Sequence, residues 1–250
     1  MKARMRFWFV CVAFCAMVVC LIAASRKHED ATATRLKFAM VRLVPLHQKI
    51  SKPGPHDWLA NHREPGQTFA EYLRCRPVLP RGERKVLYIQ PIGKFTEPQE
   101  KIVDLTADYM ARFFNLQVRT LEPIPDSVVP AGARRPGRLV EGDEQLLTGY
   151  ILYNVLKPKL PDDAAALIGF TSHDLWPGKG WNFVFGQATI RQRVGVWSIY
   201  RNGFAERGEE AFRQVLLRTI KTAVHETGHM FSMLHCTKYE CIMCGSNHQE

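Results

Sequence analysis

The pattern of apolar and polar positions becomes regular from residue 86 onward, where short apolar runs alternate with helical repeats. A short apolar run bounded by Gly, Pro or polar residues predicts a buried strand, because both of its faces are shielded from water. Apolar residues three and four positions apart predict a helix with one buried face. Five strands are predicted on this basis: Val86–Ile89, Leu116–Leu121, Ala165–Phe170, Phe183–Gly186 and Val194–Tyr200.

Three stretches with helical spacing are interleaved with these strands. The first begins after Thr96, and its apolar residues at 102, 105, 109, 110 and 113 are expected to face inward. The second covers 143–156, and the third runs from about Glu210 to Met230. A loop rich in Pro and Gly at 123–142 is expected to be the most mobile segment. This order predicts an α/β fold with one sheet and a long closing helix.

The N-terminus carries an uninterrupted apolar run of 18 residues at 7–24, preceded by Lys2, Arg4 and Arg6. A short basic segment before such a run is typical of a secretory signal peptide, whereas its length is just sufficient to span a bilayer. Residues 1–25 are therefore predicted to be a signal peptide or a membrane anchor, with a buried core helix as the alternative. The protein is expected to be secreted or membrane-anchored, and cytoplasmic if this segment is not a functional signal.

Most of the net charge of +10 comes from residues 1–84. Residues 1–84 contain 15 Lys and Arg against 6 Asp and Glu, whereas residues 85–250 contain 19 against 18. Basic residues that follow an apolar segment typically set the orientation of that segment in a membrane. No stretch interleaves aromatic and basic residues as a nucleic-acid module does. We expect no nucleic-acid partner, and a membrane contact only through residues 7–24.

Residues 26–84 form a basic N-terminal extension that is rich in Pro and largely irregular. Within it, the spacing from Gln67 to Arg74 predicts one short helix with Phe69, Tyr72 and Leu73 facing inward. The remaining residues, 85–250, form the predicted globular domain.

Four residues near the end of the chain carry the strongest chemical signal. His225 and His229 are four positions apart, so that a helix places both imidazoles on one face, within reach of one metal ion. Glu226 follows the first His and can take a proton from water at the open metal position. His235 comes six residues after His229 and can add a third nitrogen if the helix ends between them. Three His ligands leave the fourth position of a tetrahedral zinc for water, as a catalytic site requires.

A bare His-Glu-x-x-His pattern also occurs by chance, and a structural cluster is the alternative interpretation. The third His and the strong helix that precedes the motif favour a metal site. His173, which follows a strand and stands alone, is interpreted as an ordinary polar residue. Three cysteines crowd behind the motif at Cys236, Cys241 and Cys244, which resembles metal ligation more than a disulfide framework.

The segment from His225 to Met243 resembles the archaemetzincin signature. That signature couples the three-His motif to a Cys directly after the third His, a second Cys five residues on, and a Met two positions beyond it. Further segments resemble the same family, so that the likeness covers roughly residues 57–250: Trp58–Leu59, Gly66–Phe69, Tyr88–Pro91, Leu175–Pro177 and Trp181–Ala188.

The resemblance implies a metzincin-like fold, in which a twisted mixed sheet lies over the helix that carries the motif and a Met-bearing turn lies under the zinc. Met243 matches that Met. The family also implies a second, structural zinc bound by four Cys, of which Cys236 and Cys241 match two. The sequence ends at Glu250, before any Cys-x-x-Cys, so the chain end and the second site are both expected to be incomplete.

Ser232 departs from the metzincin pattern, which has Gly at this position. The Gly ends the helix in a backbone conformation that costs other residues about 1 kcal/mol or more. We therefore expect Ser232 to reduce stability or to distort the site.

Residues 85–250 are interpreted as a zinc metallopeptidase domain that hydrolyses peptide bonds of a peptide or protein substrate, with Glu226 as general base. By analogy with metzincins, an extended substrate pairs with the edge strand at Phe183–Ala188. Two alternatives remain: a non-catalytic zinc-binding pseudopeptidase, and a membrane-tethered interaction module that depends on residues 26–84.

Overall fold

The computed structural model describes residues 34, 35 and 37–247, so the predicted signal or anchor at 1–25 lies outside the described residues. Within the described part of the chain, no helix combines the length and the apolar character that crossing a bilayer requires. Contacts divide the chain into two units, residues 1–49 and residues 50–250. The first contains a short 3₁₀ helix at Val44–Leu46, all of whose residues are exposed. The second contains the predicted motif.

Eight strands and five α-helices make up the second unit as far as it is described. The strands are β1 (Val86–Ile92), β2 (Gln117–Thr120), β3 (Arg134–Pro136), β4 (Glu144–Leu147), β5 (Ala164–Thr171), β6 (Asp174–Trp176), β7 (Gly186–Ala188) and β8 (Val194–Ser198). The helices are α1 (Trp58–Asn61), α2 (Phe69–Arg74), α3 (Glu97–Phe114), α4 (Thr148–Tyr150), which continues as a π-helix (Ile151–Leu156), and α5 (Glu209–Met230). Short 3₁₀ helices lie at Asp126–Val128, Ala131–Ala133, Lys157–Lys159, Tyr200–Asn202 and Ala205–Arg207.

The strands form two sheets, so the prediction of one sheet is wrong. The larger has the order β2-β1-β5-β8-β7 and is parallel except for β7, which runs antiparallel to β8 at the edge. The smaller has the order β3-β4-β6. Strands β3, β4 and β6 have three or four residues and include Arg, Pro, Gln and Asp, so no apolar run indicates them. The predicted mixed α/β fold is confirmed.

Strands β1 and β5 are buried along their whole length, as their apolar runs predict. Leu87 and Ile89 face α3 and α5, whereas Val86 and Ile92 face the π-helix on the opposite side of the sheet. Each fully buried side chain of this kind contributes about 1.5–3 kcal/mol. The larger sheet is therefore held between two apolar layers.

Several predicted details are wrong. The stretch 143–156 begins as strand β4, because Leu146 pairs with Leu175 of β6, and only its second half is helical. The strand predicted at Phe183–Gly186 lies further along the chain, at Gly186–Ala188. Side chains expected to face inward are exposed at Phe69, Leu73, Leu105, Tyr109 and Phe113.

Helix α5 brings the motif to the larger sheet. Glu209 and Glu210 occupy its first turn, where acidic side chains stabilise the helix by interacting with the positive end of its dipole. Val215 and Ala223 bury its inner face against the core. The helix ends at Met230, and the chain then reverses through Ser232, whose φ of 71° lies in the left-handed region. The predicted start and end of this helix agree with the structure to within one residue.

Candidate metal centre

Three imidazoles converge where α5 ends. His225 and His229 lie on its last two turns, with their Nε2 atoms 3.0 Å apart. His235 follows the chain reversal, and its ring centroid lies 5.2 and 4.9 Å from those of His225 and His229. One nitrogen from each ring can be chosen so that all three lie within 4.8 Å of one another. In the described residues, no other group of three or more His, Cys, Asp or Glu has its ligand atoms this close together.

Hydrogen bonds at the opposite ring nitrogens decide which nitrogen faces the cluster. Nδ1 of His225 lies 2.7 Å from the carbonyl oxygen of Ile242, and Nδ1 of His229 lies 2.7 Å from that of Met233. A carbonyl oxygen can only accept, so each Nδ1 carries the proton. In the neutral rings, each Nε2 therefore presents a lone pair. Nδ1 of His235 lies 2.8 and 2.9 Å from the two carboxylate oxygens of Glu64.

The surroundings favour the neutral form of the His225 and His229 rings. Burial, followed by the charge of His229, lowers the pKa of His225 to about 3. Burial also lowers the pKa of His229. Two bare lone pairs 3.0 Å apart repel each other, and a cation that both nitrogens bind removes this repulsion. The three residues thus fit a Zn²⁺ ion, which accepts neutral imidazole ligands and keeps a fourth position for water.

Glu226 lies beside this cluster and is only 6% exposed. Burial raises its pKa to about 8. Strand β7 packs closely against it, because a Cβ added at Gly186 would lie 2.8 Å from both Cγ and Oε1 of the Glu226 side chain. A carboxyl group with a raised pKa next to a candidate metal position is typical of a general base or acid.

The cluster opens into a cleft of about 1370 Å³. One wall consists of residues 180–188, which include edge strand β7, and the other walls come from residues 50–66 and 240–247. The volume exceeds the roughly 300–1,000 Å³ of typical small-molecule pockets. A cleft of this size along a strand edge can receive an extended chain.

Met243 lies against the middle of the motif. It is 7% exposed, and a Cβ added at Gly228 would overlap its Sδ atom. The turn that carries Met243 closes on itself, since the backbone N–H of Cys236 donates to the carbonyl oxygen of Met243 at 2.8 Å. This turn also supplies the carbonyl of Ile242 that orients His225.

The thiols of Cys236 and Cys241 interact. The pKa of Cys241 is raised first by burial, and a side-chain hydrogen bond with Cys236 raises it further. Cys244 instead donates from Sγ to the carbonyl oxygen of Tyr239 at 3.1 Å, and burial raises its pKa. These three described thiols do not converge with one another as the three imidazoles do.

Ser232 occupies the left-handed conformation for which the metzincin pattern has Gly. Its side chain is 1% exposed and makes two hydrogen bonds. Oγ donates to the carbonyl oxygen of Ile190 at 2.9 Å and accepts from the N–H of Val78 at 3.1 Å. These bonds offset the cost of the backbone conformation, so the chain reversal is made with Ser in place of Gly.

Sequence reasoning missed the residues from the extension that reach the site. Glu64 contacts His235, and the ring of Trp58 stacks with His62 at 3.8 Å between centroids. Trp181 lies parallel to His62 at 5.5 Å and lines the same cleft. The family likeness at Trp58–Leu59 and Gly66–Phe69 was the available signal, and it assigned no role to these residues. His173 lies outside the cleft lining, with Nε2 2.9 Å from Oδ2 of Asp126.

Comparisons with known proteins identify relatives. A sequence profile of Peptidase family M54 matches residues 156–250. Archaemetzincin-2 from Macaca fascicularis is 34% identical over 239 residues, which cover 82% of this chain and 65% of the relative. Archaemetzincin from Thermococcus kodakarensis is 32% identical over 167 residues, which cover 65% of this chain and 84% of the relative.

A solved structure shows a similar fold. The crystal structure of archaemetzincin from Methanopyrus kandleri matches with a TM-score of 0.50 and 26% identity, over 68% of this chain and 85% of that chain. The chain spans 65% of the length of the archaemetzincin-2 relatives that it matches.

Proposed function

The chain belongs to the archaemetzincin family, and we propose that it is a zinc-dependent metallopeptidase that binds zinc through His225, His229 and His235 and uses Glu226 as general base. One observation carries the proposal. Three imidazoles point toward one another with their Nδ1 atoms engaged elsewhere, and a buried carboxyl group lies beside them. This combination supplies both parts that metal-assisted hydrolysis needs.

The chemistry divides between the metal and the protein. Zinc, when bound, lowers the pKa of water toward about 7 and polarises the scissile carbonyl. Oε1 or Oε2 of Glu226 accepts a proton from the attacking water and later donates it to the leaving amine. Burial raises the pKa of Glu226 to about 8 and so favours its protonated form. A nearby cation favours the ionised form, which is the form that accepts the proton.

The proposed substrate is a peptide or protein segment in extended conformation. Strand β7 lies at the edge of the larger sheet and lines the cleft beside Glu226. An extended chain that pairs with this edge would place its backbone carbonyls next to the base. The cleft wall at 180–188 therefore supports the predicted substrate posture.

Cys236 and Cys241 are proposed as two ligands of a second zinc ion. Their side chains are neighbours, since Cys236 contributes to the raised pKa of Cys241. Thiolates are soft ligands that select zinc over harder cations. In the described residues, no third ligand joins them as closely as the imidazoles of the first site join one another.

Metal removal and one isosteric substitution test the proposed activity. The purified protein should cleave a mixture of unstructured peptides, lose this activity on dialysis against a strong chelator, and regain it with zinc. Glu226→Gln should keep its zinc and lose about 100-fold or more in hydrolysis, because the amide cannot accept the proton. Glu210→Gln, an exposed position on the same helix, is the matched control.

The outcomes separate the candidate functions. Full hydrolysis by zinc-loaded Glu226→Gln would show that Glu226 is not the general base. Tight zinc binding by the wild type without any hydrolysis would identify a non-catalytic zinc-binding protein. Failure of the wild type to bind zinc would contradict the proposal as a whole.

A further inference from the structure

The third candidate ligand is the one that the helix does not hold. His235 lies beyond the end of α5, in the turn 231–235, whereas His225 and His229 are fixed by the helix itself. A ligand on a turn has no regular backbone to set its direction. The contacts of this turn therefore decide whether His235 faces the other two imidazoles.

Several of those contacts come from residues 58–78, a segment that precedes β1 and that we call the clamp segment. Tyr72 donates from its hydroxyl to the carbonyl oxygen of Phe231 at 3.1 Å. Gln67 accepts from the N–H of Leu234 at 3.1 Å and donates to the carbonyl oxygen of Ser232 at 3.4 Å. The clamp segment thus holds the turn from both ends by side-chain hydrogen bonds.

Glu64, also in the clamp segment, acts on the ligand itself. Its two carboxylate oxygens lie 2.8 and 2.9 Å from Nδ1 of His235. The side chains of Glu64 and His235 are 24% and 17% exposed, so water competes little for this contact. The ring of Trp58 meets the His235 ring edge-on at 5.5 Å and limits its rotation.

Glu64 differs from the partners of the other two imidazoles. Those partners are neutral carbonyls of Ile242 and Met233, within 17 residues of their His. Glu64 is a carboxylate that lies 171 residues away in the sequence. A carboxylate at Nδ1 fixes the tautomer, orients the ring and makes Nε2 a stronger donor to a metal.

We infer that Glu64 is a positioning residue for the metal centre, and that the clamp segment is part of the functional site. This inference rests on the proposed zinc site. Glu64 sets the direction and the donor strength of His235, and it acts on the metal through that imidazole. The site accordingly requires residues far outside the segment 156–250 that the family profile matches.

Two substitutions at residue 64 and one matched control test the inference. Glu64→Ala removes the acceptor, and Glu64→Gln keeps one acceptor oxygen but removes the charge. Glu83→Gln changes an exposed carboxylate that does not line the cleft. For each protein, zinc affinity is measured by competition with a chromophoric chelator, and the melting temperature of the metal-free protein is measured separately.

The expected result is a graded loss of zinc affinity without a loss of fold. Glu64→Ala should bind zinc about 10–100-fold more weakly, the range found for partners of metal-binding His. Glu64→Gln should show a smaller loss, and Glu83→Gln none. The melting temperature of the metal-free protein should stay at the wild-type value in Glu64→Gln, and at saturating zinc kcat should fall more than KM rises.

Three other outcomes would overturn the inference, each for a different reason. If both Glu64 variants bind zinc as tightly as an active wild-type protein, Glu64 does not position the metal centre, and the proposed function is unaffected. Wild-type affinity in Glu64→Gln together with a destabilised metal-free Glu64→Ala would assign Glu64 a purely structural role. A wild type that binds no zinc would remove the proposed function, and the inference with it.

Discussion

Gly186 and Glu226 are in direct contact, because a Cβ added to Gly186 would lie 2.8 Å from both Cγ and Oε1 of Glu226. Gly186 is the first residue of edge strand β7 and pairs with Trp197 of β8. The carboxyl group thus packs against the backbone of the strand to which we assign substrate pairing. The absence of a side chain at residue 186 is what allows the base and the substrate strand to approach each other.

Gly186→Ala should impair hydrolysis without removing the zinc. The new methyl group would displace the Glu226 carboxyl group, and a displacement of about 1 Å in a reacting group can cost about 100-fold in rate. Zinc content should not change, because the three atoms nearest the new methyl group all belong to Glu226 and none to a His ligand. The measurement compares kcat/KM and bound zinc in the variant and the wild type.

A control for this substitution is Gly132→Ala, since a Cβ added at Gly132 meets nothing within 4 Å. It should leave kcat/KM unchanged. Undiminished hydrolysis by Gly186→Ala would show that the Glu226 carboxyl group can move aside at no cost, contrary to the close packing described above.

The sequence predicted the parts of the fold that depend on long apolar patterns. Strands β1 and β5 and helix α5 were found within a few residues of their ends, because each is buried on both faces or carries a sustained helical repeat. Strand β7 was misplaced, since the apolar run at Phe183–Phe185 has the composition of a strand. In the structure, these two Phe rings pack edge to face at 5.3 Å. The Arg201 guanidinium lies 3.7 Å from the centroid of the Phe183 ring.

The sequence could not predict the contacts that join distant parts of the chain. The spacing of His225 and His229 indicates a shared metal because helical geometry links them, and His235 follows the end of that helix by five residues. Nothing in the spacing of Glu64 relates it to His235, because their proximity depends on how residues 50–84 fold over the cleft. The small sheet is a similar case, since Leu146 becomes a strand residue only through its pairing with Leu175.

Gly228 and Met243 also approach each other closely, and this contact is expected to reverse the usual effect of a Gly→Ala substitution on stability. In a helix, Gly→Ala normally stabilises by about 1 kcal/mol. At Gly228 the new Cβ would overlap the buried Sδ of Met243, and overpacking of this kind costs about 1–3 kcal/mol. Gly228→Ala should therefore lower the free energy of unfolding, as measured by urea denaturation.

The same substitution in a Met243→Ala background supplies the control, because the overlapping side chain is then absent. There Gly228→Ala should raise the free energy of unfolding by about 1 kcal/mol, as it does in an ordinary helix. Equal effects in both backgrounds would mean that the helix and the turn below it do not constrain each other.

The backbone of Ser232 predicts an unusual order of stability among its variants. Ser232→Ala and Ser232→Gly both lose the hydrogen bonds to Val78 and Ile190, at about 1 kcal/mol each. Gly adopts a φ of 71° without strain, whereas Ala retains a cost of about 1–2 kcal/mol. The Gly variant should therefore be the more stable of the two by about 1 kcal/mol, although both should be less stable than the wild type.

Exposed Ser127, whose φ is not positive, provides the comparison. At that position the Gly variant should be less stable than the Ala variant, because Gly loses more backbone entropy on folding. Urea denaturation of all four variants checks the reversal. The same order at both positions would show that the left-handed conformation of Ser232 contributes no strain.

The two clusters of candidate ligands predict different zinc occupancies. Three imidazole nitrogens lie within 4.8 Å of one another, and the described thiols form no equivalent group of three. Zinc affinity depends on the number of ligands that converge in the correct geometry. After dialysis against a weak chelator, we therefore expect the 250-residue protein to retain a single zinc ion, bound at the imidazoles.

Paired substitutions assign the retained ion. Cys236→Ser combined with Cys241→Ser should leave the zinc content unchanged, since these thiols lie outside the imidazole cluster. His229→Ala should abolish it, because two imidazoles hold zinc far more weakly than three. Zinc content is measured by atomic emission against protein concentration. Retention of two zinc ions by the wild type, one of them lost in the double Cys variant, would show that the thiols complete a tight second site and that the expectation of an incomplete site is wrong.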